Sequence, residues 1–202
     1  SLVAELLPYV LMRLARTLAS YEADRAARGL RWSRGRHLAF HLRLLALPLL
    51  PILILNGVKE TLELIDALDV ILVAFEPLVL PAVALTFMPL VFALSPLLVR
   101  GLLGARPLEA GPLRTRLEAY GRRAGFRPTE ILLWDTGGAV SNALFIGILP
   151  RLRYVLITDA LIDRMDEAAV EAVYAHEAGH GDRRHTLVFL AMALAAMMVT
   201  AI

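Results

Sequence analysis

The chain has 202 residues, and 58% of them are hydrophobic, whereas soluble domains usually stay near about 45–50%. It has no cysteine, which excludes disulfides, thiol nucleophiles and cysteine-bound metals. The net charge is only +2, and the 21 basic residues, all arginine except Lys59, cluster along the chain. This clustering indicates membrane topology more than nucleic-acid binding, and no nucleic-acid partner is predicted.

The N-terminal segment predicts one partial and one complete membrane segment. Residues 1–20 are apolar but charged at three positions, which fits either a truncated span or an interfacial helix. Residues 22–36 are predicted to form an arginine-rich loop, with Trp32 at the level of the lipid headgroups. Residues 38–55 form the first clear span, because about 18 apolar residues can cross a bilayer.

Three residues of this first span have individual predictions. Pro48 and Pro51 are expected to kink it. Arg43 lies near its basic end and can extend its guanidinium to the interface.

An acidic loop at 56–69 precedes a second apolar segment, residues 70–99, which is interpreted as one long crossing, tilted or broken by prolines. Basic loops are retained in the cytoplasm. The arginines at 22–36 and after Arg100 are therefore predicted to face the cytoplasm, and the 56–69 loop to face outward.

The following region predicts a small soluble unit. Residues 113–124 form a helix after Gly111-Pro112. Residues 131–134, 140–148 and 152–157 are predicted to form three short strands in an antiparallel sheet. Asp135-Thr136-Gly137 matches the aspartic-protease triplet, but that mechanism needs two such aspartates, so these residues are interpreted as a turn.

A short helix at 159–164, capped by Thr158 or Asp159, leads to a longer helix that begins at Asp163 or Asp166. That longer helix carries the sequence His176-Glu177-Ala178-Gly179-His180. Gly179 and Gly181 fit either termination of this helix or close approach of another element. Residues 187–202 are apolar and predict the start of a further span.

The spacing of the two histidines predicts a zinc site. Residues i and i+4 lie on one helix face, so His176 and His180 can bind one Zn²⁺ per chain. Glu177 lies at the flank of that face, where its carboxylate can reach a metal-bound water without ligating. Zinc lowers the pKa of such a water to about 7, and Glu177 is predicted to act as the general base that takes its proton.

The sequence around this motif resembles a known family. Glu171-Ala-Val-Tyr-Ala-His176-Glu177-Ala-Gly-His180, followed by charged residues and His185, is similar to the active-site helix of the HtpX-like and CAAX-prenyl-protease family of integral-membrane zinc metallopeptidases. The segments Ser141–Phe145 and Tyr154–Leu161 also resemble that family, and the likeness covers roughly residues 106 to 190. Ala178 departs from it, since the family more often has leucine there.

The resemblance implies two further features. The strand at about 140–146 would lie beside the zinc cleft and pair with the substrate backbone, which makes Asn142 and Ala143 the expected substrate-binding residues. A third zinc ligand would be a glutamate on a helix after the next membrane segment, beyond residue 202. The chain is therefore expected to be a fragment that binds zinc weakly and is inactive alone.

Residues within the chain are poor substitutes for that third ligand. Glu171 and His185 lie roughly 140° from the histidine face of an ideal helix, and Asp182 lies on the opposite face. Asp135 or Asp159 remain as distant alternatives.

The predicted architecture is a mainly α membrane protein, with transmembrane helices and a small α+β zinc-metallopeptidase domain containing a short antiparallel sheet. The predicted divisions are 1–36 as a basic N-terminal region, 37–100 as membrane spans, 101–186 as the peptidase domain and 187–202 as a further span. The predicted function is a membrane-bound zinc metalloendopeptidase of the bacterial inner membrane, with the zinc domain in the cytoplasm. Its partners are a peptide or membrane-protein substrate and the lipid bilayer. The alternative is a catalytically inactive membrane scaffold that retains the motif.

Overall fold

Three long helices precede a small domain that contains a sheet. The structure, a computed structural model, describes residues 2–63 and 76–182, together with positions 188, 191, 192 and 195. The long helices are α1 (Leu2–Arg28), α2 (Arg34–Glu63) and α3 (Glu76–Leu103), and α2 packs against both of the others.

The charged segments beside α2 are helical where loops were predicted. Helix α1 continues to Arg28, so only residues 29–33 of the predicted loop at 22–36 form a turn. Helix α2 likewise continues to Glu63 and includes the first part of the predicted acidic loop, whereas residues 64–69 lie outside the described chain. Arginine and glutamate are good helix formers, so a high density of charge does not by itself end a helix.

The apolar helices continue through their prolines. Pro48 and Pro51 lie inside α2 without ending it, and α3 is unbroken from Glu76 onward. Residues 34–58 of α2 are the one part of the described chain long and apolar enough to cross a membrane, with a mean hydropathy of 2.1. Only 6% of the corresponding window is buried inside the protein, which distinguishes α2 from the core helix of a soluble domain.

The sheet has four strands and mixed direction: β1 (Arg106–Pro107), β2 (Glu130–Trp134), β3 (Ala143–Ile146) and β4 (Tyr154–Thr158). The spatial order is β1-β2-β4-β3. β2 and β4 are parallel, and the other two pairs are antiparallel.

The predicted three-stranded antiparallel sheet is therefore wrong. The strand that follows β2 in the sequence, β3, lies at the edge of the sheet and leaves a gap beside β2. The chain then passes through a short 3₁₀ turn at Pro150–Leu152, and β4 fills the gap between β2 and β3. All five residues of β4 are buried. A continuous apolar strand of this kind is typical of a position covered on both faces.

Each face of the sheet packs against different helices. One face, with Val155 and Ile157, packs against Leu117 of α4 (Pro112–Ala124) and Tyr174 of α6 (Glu167–Asp182). The opposite face, with Leu132 and Leu156, packs against the ends of α2 and α3 that adjoin the domain, through Leu44, Leu47, Val99 and Leu103. The small domain is therefore built directly onto the long apolar helices.

The short helices begin and end where local sequence signals place them. Pro112 occupies the first turn of α4, and Gly125 ends it in the left-handed conformation with φ of 71°. The Thr158 hydroxyl accepts a hydrogen bond from the Leu161 amide and caps α5 (Asp159–Arg164). Asp166 caps α6, since its carboxylate accepts the Ala169 amide at 2.7 Å. The capping residue is Asp166 because Asp163 lies inside α5.

Residues 29–33, here called the docking turn, attach α1 and α2 to the small domain. Trp32 is 5% exposed, and its indole lies against Gly137, so it is buried in a protein contact. The Arg31 amide donates to the Gly137 carbonyl at 3.0 Å. The Arg31 guanidinium contacts Asp159 at 2.6 Å and Asp163 at 3.0 Å. The docking turn thus fixes the helical hairpin against the turn that follows β2.

Candidate metal centre

Helix α6 brings His176, Glu177 and His180 together on its solvent-accessible side. The Nε2 atoms of the two histidines are 3.2 Å apart, and one ligand atom from each of the three residues lies within 4.8 Å of the others. Two imidazole nitrogens bound to one tetrahedral zinc at about 2.0–2.1 Å would be roughly 3.3 Å apart. The histidine pair therefore fits a zinc ion without repacking of the helix.

The opposite face of α6 is anchored in the core. Val170, Tyr174 and Ala178 are almost completely buried against the sheet and α4. These residues recur every four positions, which is the spacing of one helix face. Ala178, where leucine is common in the resembled family, is buried in this core, so the departure from the family concerns packing.

Glu177 joins the histidine pair to the edge of the sheet. Its Oε2 accepts a hydrogen bond from the Phe145 amide of β3 at 3.0 Å. β3 is an edge strand, and the Phe145 amide points away from β4 toward α6. The carboxylate predicted as the general base is therefore adjacent to the unpaired edge of β3.

Asn142 and Ala143 lie at the beginning of this edge strand. The backbone N–H of Asn142 donates to the Thr158 hydroxyl at 2.9 Å, and the backbone carbonyl of Asn142 accepts a hydrogen bond from the Thr158 amide at 3.1 Å. These bonds fix the backbone where β3 begins. Ala143 belongs to the core cluster, and the residue as a whole is only 4% exposed.

Glu171 faces away from the histidines, toward α4. Its carboxylate contacts the Arg116 guanidinium and lies 3.6 Å from Arg123. Its position agrees with the helical geometry that excluded it as a ligand. The side chains of Asp182 and His185 lie outside the described residues.

Asp135 and Asp159 are occupied elsewhere. Asp135 accepts the Gly137 amide at 3.0 Å, which makes Asp135-Thr136-Gly137 a turn, and it contacts Arg36 at 2.6 Å. Burial raises the pKa of Asp159, but bonds from the Thr136 hydroxyl and amide, Arg31 and the Gly138 amide outweigh it and hold that pKa below its ordinary value. Among the described residues, His176, Glu177 and His180 are the only three acidic or histidine side chains grouped closely enough to share a metal.

The glycines of the motif do not end the helix before Asp182. No described atom lies within 4 Å of the position that a Cβ on Gly179 would occupy, so no described element approaches it closely.

Sequence reasoning missed two contacts, one at this site and one at the docking turn. One is the Phe145 amide, whose role depends on strand order; its residue does belong to the segment Ser141–Phe145 that resembles the family. The other is Arg31, which was assigned only to a basic loop. Its ion pairs with Asp159 and Asp163 connect residues more than 120 positions apart, and no local pattern signals them.

Comparison with known proteins identifies the domain that contains this site. The model of peptidase family M48 matches residues 107–202. CAAX prenyl protease 1 of Saccharomyces cerevisiae is 32% identical over 81 residues, which are 39% of this chain and 18% of the yeast protein. The crystal structure of Ste24p from S. mikatae superposes with a TM-score of 0.54 at 19% identity, over 95% of this chain and 46% of that one.

The chain thus spans less than half the length of either relative, and the structural match at this identity concerns the fold alone. The family match covers the HExxH helix and the two segments that precede it in the sequence. The resemblance is thereby confirmed at the level of the domain, since residues 107–202 match peptidase family M48.

Proposed function

We propose that the chain is the catalytic part of a membrane-bound zinc metalloendopeptidase. The observation that carries this proposal is the zinc-compatible pair His176 and His180, with Glu177 on the same side of α6 and hydrogen-bonded to the edge strand β3. The match of residues 107–202 to peptidase family M48 supports peptide-bond hydrolysis as the reaction.

The roles of the side chains follow from their geometry. His176 and His180 would hold the zinc through their Nε2 atoms. A bound zinc supplies a Lewis acid that brings the pKa of a coordinated water close to about 7. The Glu177 carboxylate accepts the proton of the attacking water, and its Oε1 makes no hydrogen bond with the described residues that would compete for that proton.

Removal of the Glu177 charge tests this mechanism. In the full-length protein, Glu177→Gln should retain zinc and lower kcat by at least about a hundredfold, because general-base catalysis typically contributes about 10²–10⁴-fold. Zinc content and cleavage of a fluorogenic peptide are the two measurements.

Glu171→Gln is the matched control, since Glu171 is on the same helix but is paired with Arg116 on α4. It should retain near-normal kcat. Normal turnover by Glu177→Gln would contradict the mechanism. A wild-type protein that binds zinc but cleaves no peptide would instead favour the inactive scaffold.

Extended peptides are the substrates that this site accommodates best. An edge strand can accept a further strand through its backbone N–H and C=O groups. In β3 the Phe145 amide already faces outward, and Ala143, two residues before it, presents its amide in the same direction. We therefore assign substrate pairing to the β3 edge next to Glu177, with Asn142 and Ala143 at its start.

The membrane placement is part of the same proposal. Helix α2 is apolar over a length of about 37 Å, and almost none of its most apolar window is covered by protein. Such a surface is suited to a lipid environment. We propose that the peptidase domain lies on the cytoplasmic side of a bacterial inner membrane, because the arginine-rich segments adjoin it.

A further inference from the structure

A cavity of about 300 Å³ lies where α2 and α3 meet the small domain. Its lining combines three arginines with two tryptophans: Arg36, Arg43, Arg106, Trp32 and Trp134. It is separate from the histidine pair, because none of its lining residues belongs to α6.

The charges around the cavity are unbalanced. Arg36 is paired with Asp135 at 2.6 Å and lies 5.5 Å from the centre of the Trp32 ring. Arg43 and Arg106 make no hydrogen bond or ion pair with any described residue, although both line the cavity. Two uncompensated positive charges therefore face the same space, and Arg43 does so from within the apolar segment 34–58.

The position of Arg43 along α2 corresponds to a membrane boundary. The uncharged residues between Arg43 and Lys59 extend about 22 Å as a helix, so Arg43 lies near the basic boundary of a hydrocarbon core of about 30 Å and can extend its guanidinium out of it. Large apolar side chains are exposed along that stretch, for example Ile52 and Ile54. With the hydrocarbon at this level, the guanidinium of Arg43 lies at the depth of the lipid headgroups.

The aromatic residues of the cavity are consistent with that depth. The Phe40 ring lies 4.8 Å from Trp32 and is stacked at 5.7 Å on Trp134. Trp134, which unlike Trp32 is only partly buried, belongs to a residue type enriched where a protein meets the headgroup region, because its ring is apolar and its N–H is polar. The lining of the cavity therefore combines packed aromatic rings with the guanidinium groups of Arg43 and Arg106.

We propose that this cavity binds the phosphate of an anionic phospholipid, with Arg43 and Arg106 as its ligands. A guanidinium presents paired N–H donors that match phosphate oxygens, and it keeps its charge at every physiological pH. A lipid with a net negative charge neutralises more of the excess than a zwitterionic one. The proposal rests on the membrane placement of α2 and is independent of catalysis.

Fluorescence quenching can test the site, since Trp32 and Trp134 are the only tryptophans in the 202-residue chain and both line the cavity. The chain is reconstituted in two series of phosphatidylcholine vesicles, one with increasing fractions of brominated phosphatidylglycerol and one with the same fractions of brominated phosphatidylcholine. Half-maximal quenching of the wild-type chain should occur at a lower fraction of the brominated anionic lipid. In Arg43→Gln/Arg106→Gln this preference should fall by roughly tenfold or more, because each arginine near an anionic surface contributes about 1 kcal/mol.

Arg100→Gln is the control for removal of one positive charge close to the cavity, and it is compared with Arg43→Gln and Arg106→Gln singly. Arg100 is at the same end of α3, but it lies over the Tyr154 ring and does not line the cavity. It should retain the preference for phosphatidylglycerol. Equal quenching of the wild-type chain by the two brominated lipids would overturn the proposal, even if the double variant failed to fold.

Competition with inorganic phosphate distinguishes a lipid phosphate from a soluble phosphate compound as the ligand of the cavity. A lipid site at the membrane surface should keep its quenching when inorganic phosphate is added at constant ionic strength. Relief of quenching by inorganic phosphate, but not by sulfate, would assign the cavity to a soluble phosphate compound instead.

Discussion

Tyr174 carries a hydroxyl that is buried in the core of the peptidase domain without a hydrogen-bond partner among the described residues. The side chain is 1% exposed and packs against the Tyr120 and Phe126 rings. A buried hydroxyl without a partner costs about 1–3 kcal/mol relative to a satisfied one. Its ring therefore contributes to packing, whereas its oxygen opposes stability.

Tyr174→Phe should raise the free energy of unfolding by about 1 kcal/mol, since it removes the unpaired oxygen and keeps the ring. Near-UV circular dichroism during denaturant unfolding in detergent would measure this change. Tyr120→Phe, on the adjacent helix and only partly buried, should have little effect. A loss of stability in Tyr174→Phe would show that the hydroxyl has a partner in the folded protein.

The same pair of proteins should differ in alkaline solution. Burial, together with the nearby Glu118 carboxylate and Tyr120, raises the pKa of Tyr174 from 10.0 to about 12. Between these two pH values the unfolded chain has lost a proton that the folded chain retains, so the stability contributed by this group falls as pH rises. The advantage of Tyr174→Phe should therefore increase above pH 10, and a constant difference would contradict the raised pKa.

Gly137 provides a second residue-scale prediction. A Cβ at this position would lie 2.3 Å from the Trp32 ring, and the backbone φ is +59°. Gly137→Ala should therefore destabilise the protein by about 2 kcal/mol or more, through overpacking and left-handed strain.

Gly138→Ala is its matched control, since φ is also positive there but the nearest atom to a Cβ is 3.6 Å away. It should cost only the backbone strain. Denaturant unfolding of both variants measures the difference, which isolates the contact with Trp32. Equal losses would argue that the docking turn does not pack closely against this turn.

At the scale of elements, the local sequence predicts helices better than it predicts sheet order. The Gly-Pro start and glycine end of α4, and the Thr158 cap of α5, are short-range signals, and the structure confirms both helices. The parallel pairing of β2 with β4 depends on where the intervening strand is placed, which no residue in β2 encodes. The positions of β2, β3 and β4 were therefore predictable, whereas β1 and the order of the strands were not.

The boundary between α1 and α2 illustrates a different limit. Arginine density was interpreted as a loop, yet the arginines up to Arg28 and from Arg34 onward belong to helices. Their partners are distant in sequence: Arg36 contacts Asp135, and Arg31 contacts Asp159. The spacing of the metal motif, by contrast, is a property of one helix, so the histidine pair was predictable from the sequence alone.

The edge of β3 gives a prediction about a strand rather than a side chain. Ala143→Pro removes the outward-facing amide of Ala143, and it should raise KM by about tenfold while zinc content stays unchanged, because one backbone hydrogen bond to the substrate is lost. Ala143→Gly keeps the amide and removes only the methyl, so it is the matched control. Steady-state kinetics on an extended peptide would measure both, and equal KM values for the two variants would exclude pairing at this position.

At the scale of the whole molecule, the membrane proposal predicts which surfaces are accessible from each side. The chain has no cysteine, so single cysteines can report topology. Ala26 and Thr61 are suitable positions because both are exposed, and they lie at opposite ends of the hairpin. Leu30, in the docking turn itself, is only 5% exposed and would react poorly as a cysteine. In intact cells, an impermeant thiol reagent should label Thr61→Cys and should label Ala26→Cys only after the membrane is opened.

Equal labelling of both positions in intact cells would contradict the proposed orientation. Labelling of Ala26→Cys alone would reverse it and place the peptidase domain outside. The proposed zinc site does not depend on either result, so this experiment is separate from the test of Glu177.

The docking turn also has a consequence for how the protein is made. Its contacts join residues far apart in the chain, since Arg31 and Asp159 are separated by 128 positions and Arg28 and Arg164 by 136. At a synthesis rate of about 5–20 residues per second, Trp32 leaves the ribosome several seconds before Gly137 exists. During that interval the helical hairpin lacks the contacts with the small domain that hold its turn in the folded protein. On the membrane placement proposed above, the bilayer or a chaperone must accommodate the hairpin until those contacts form.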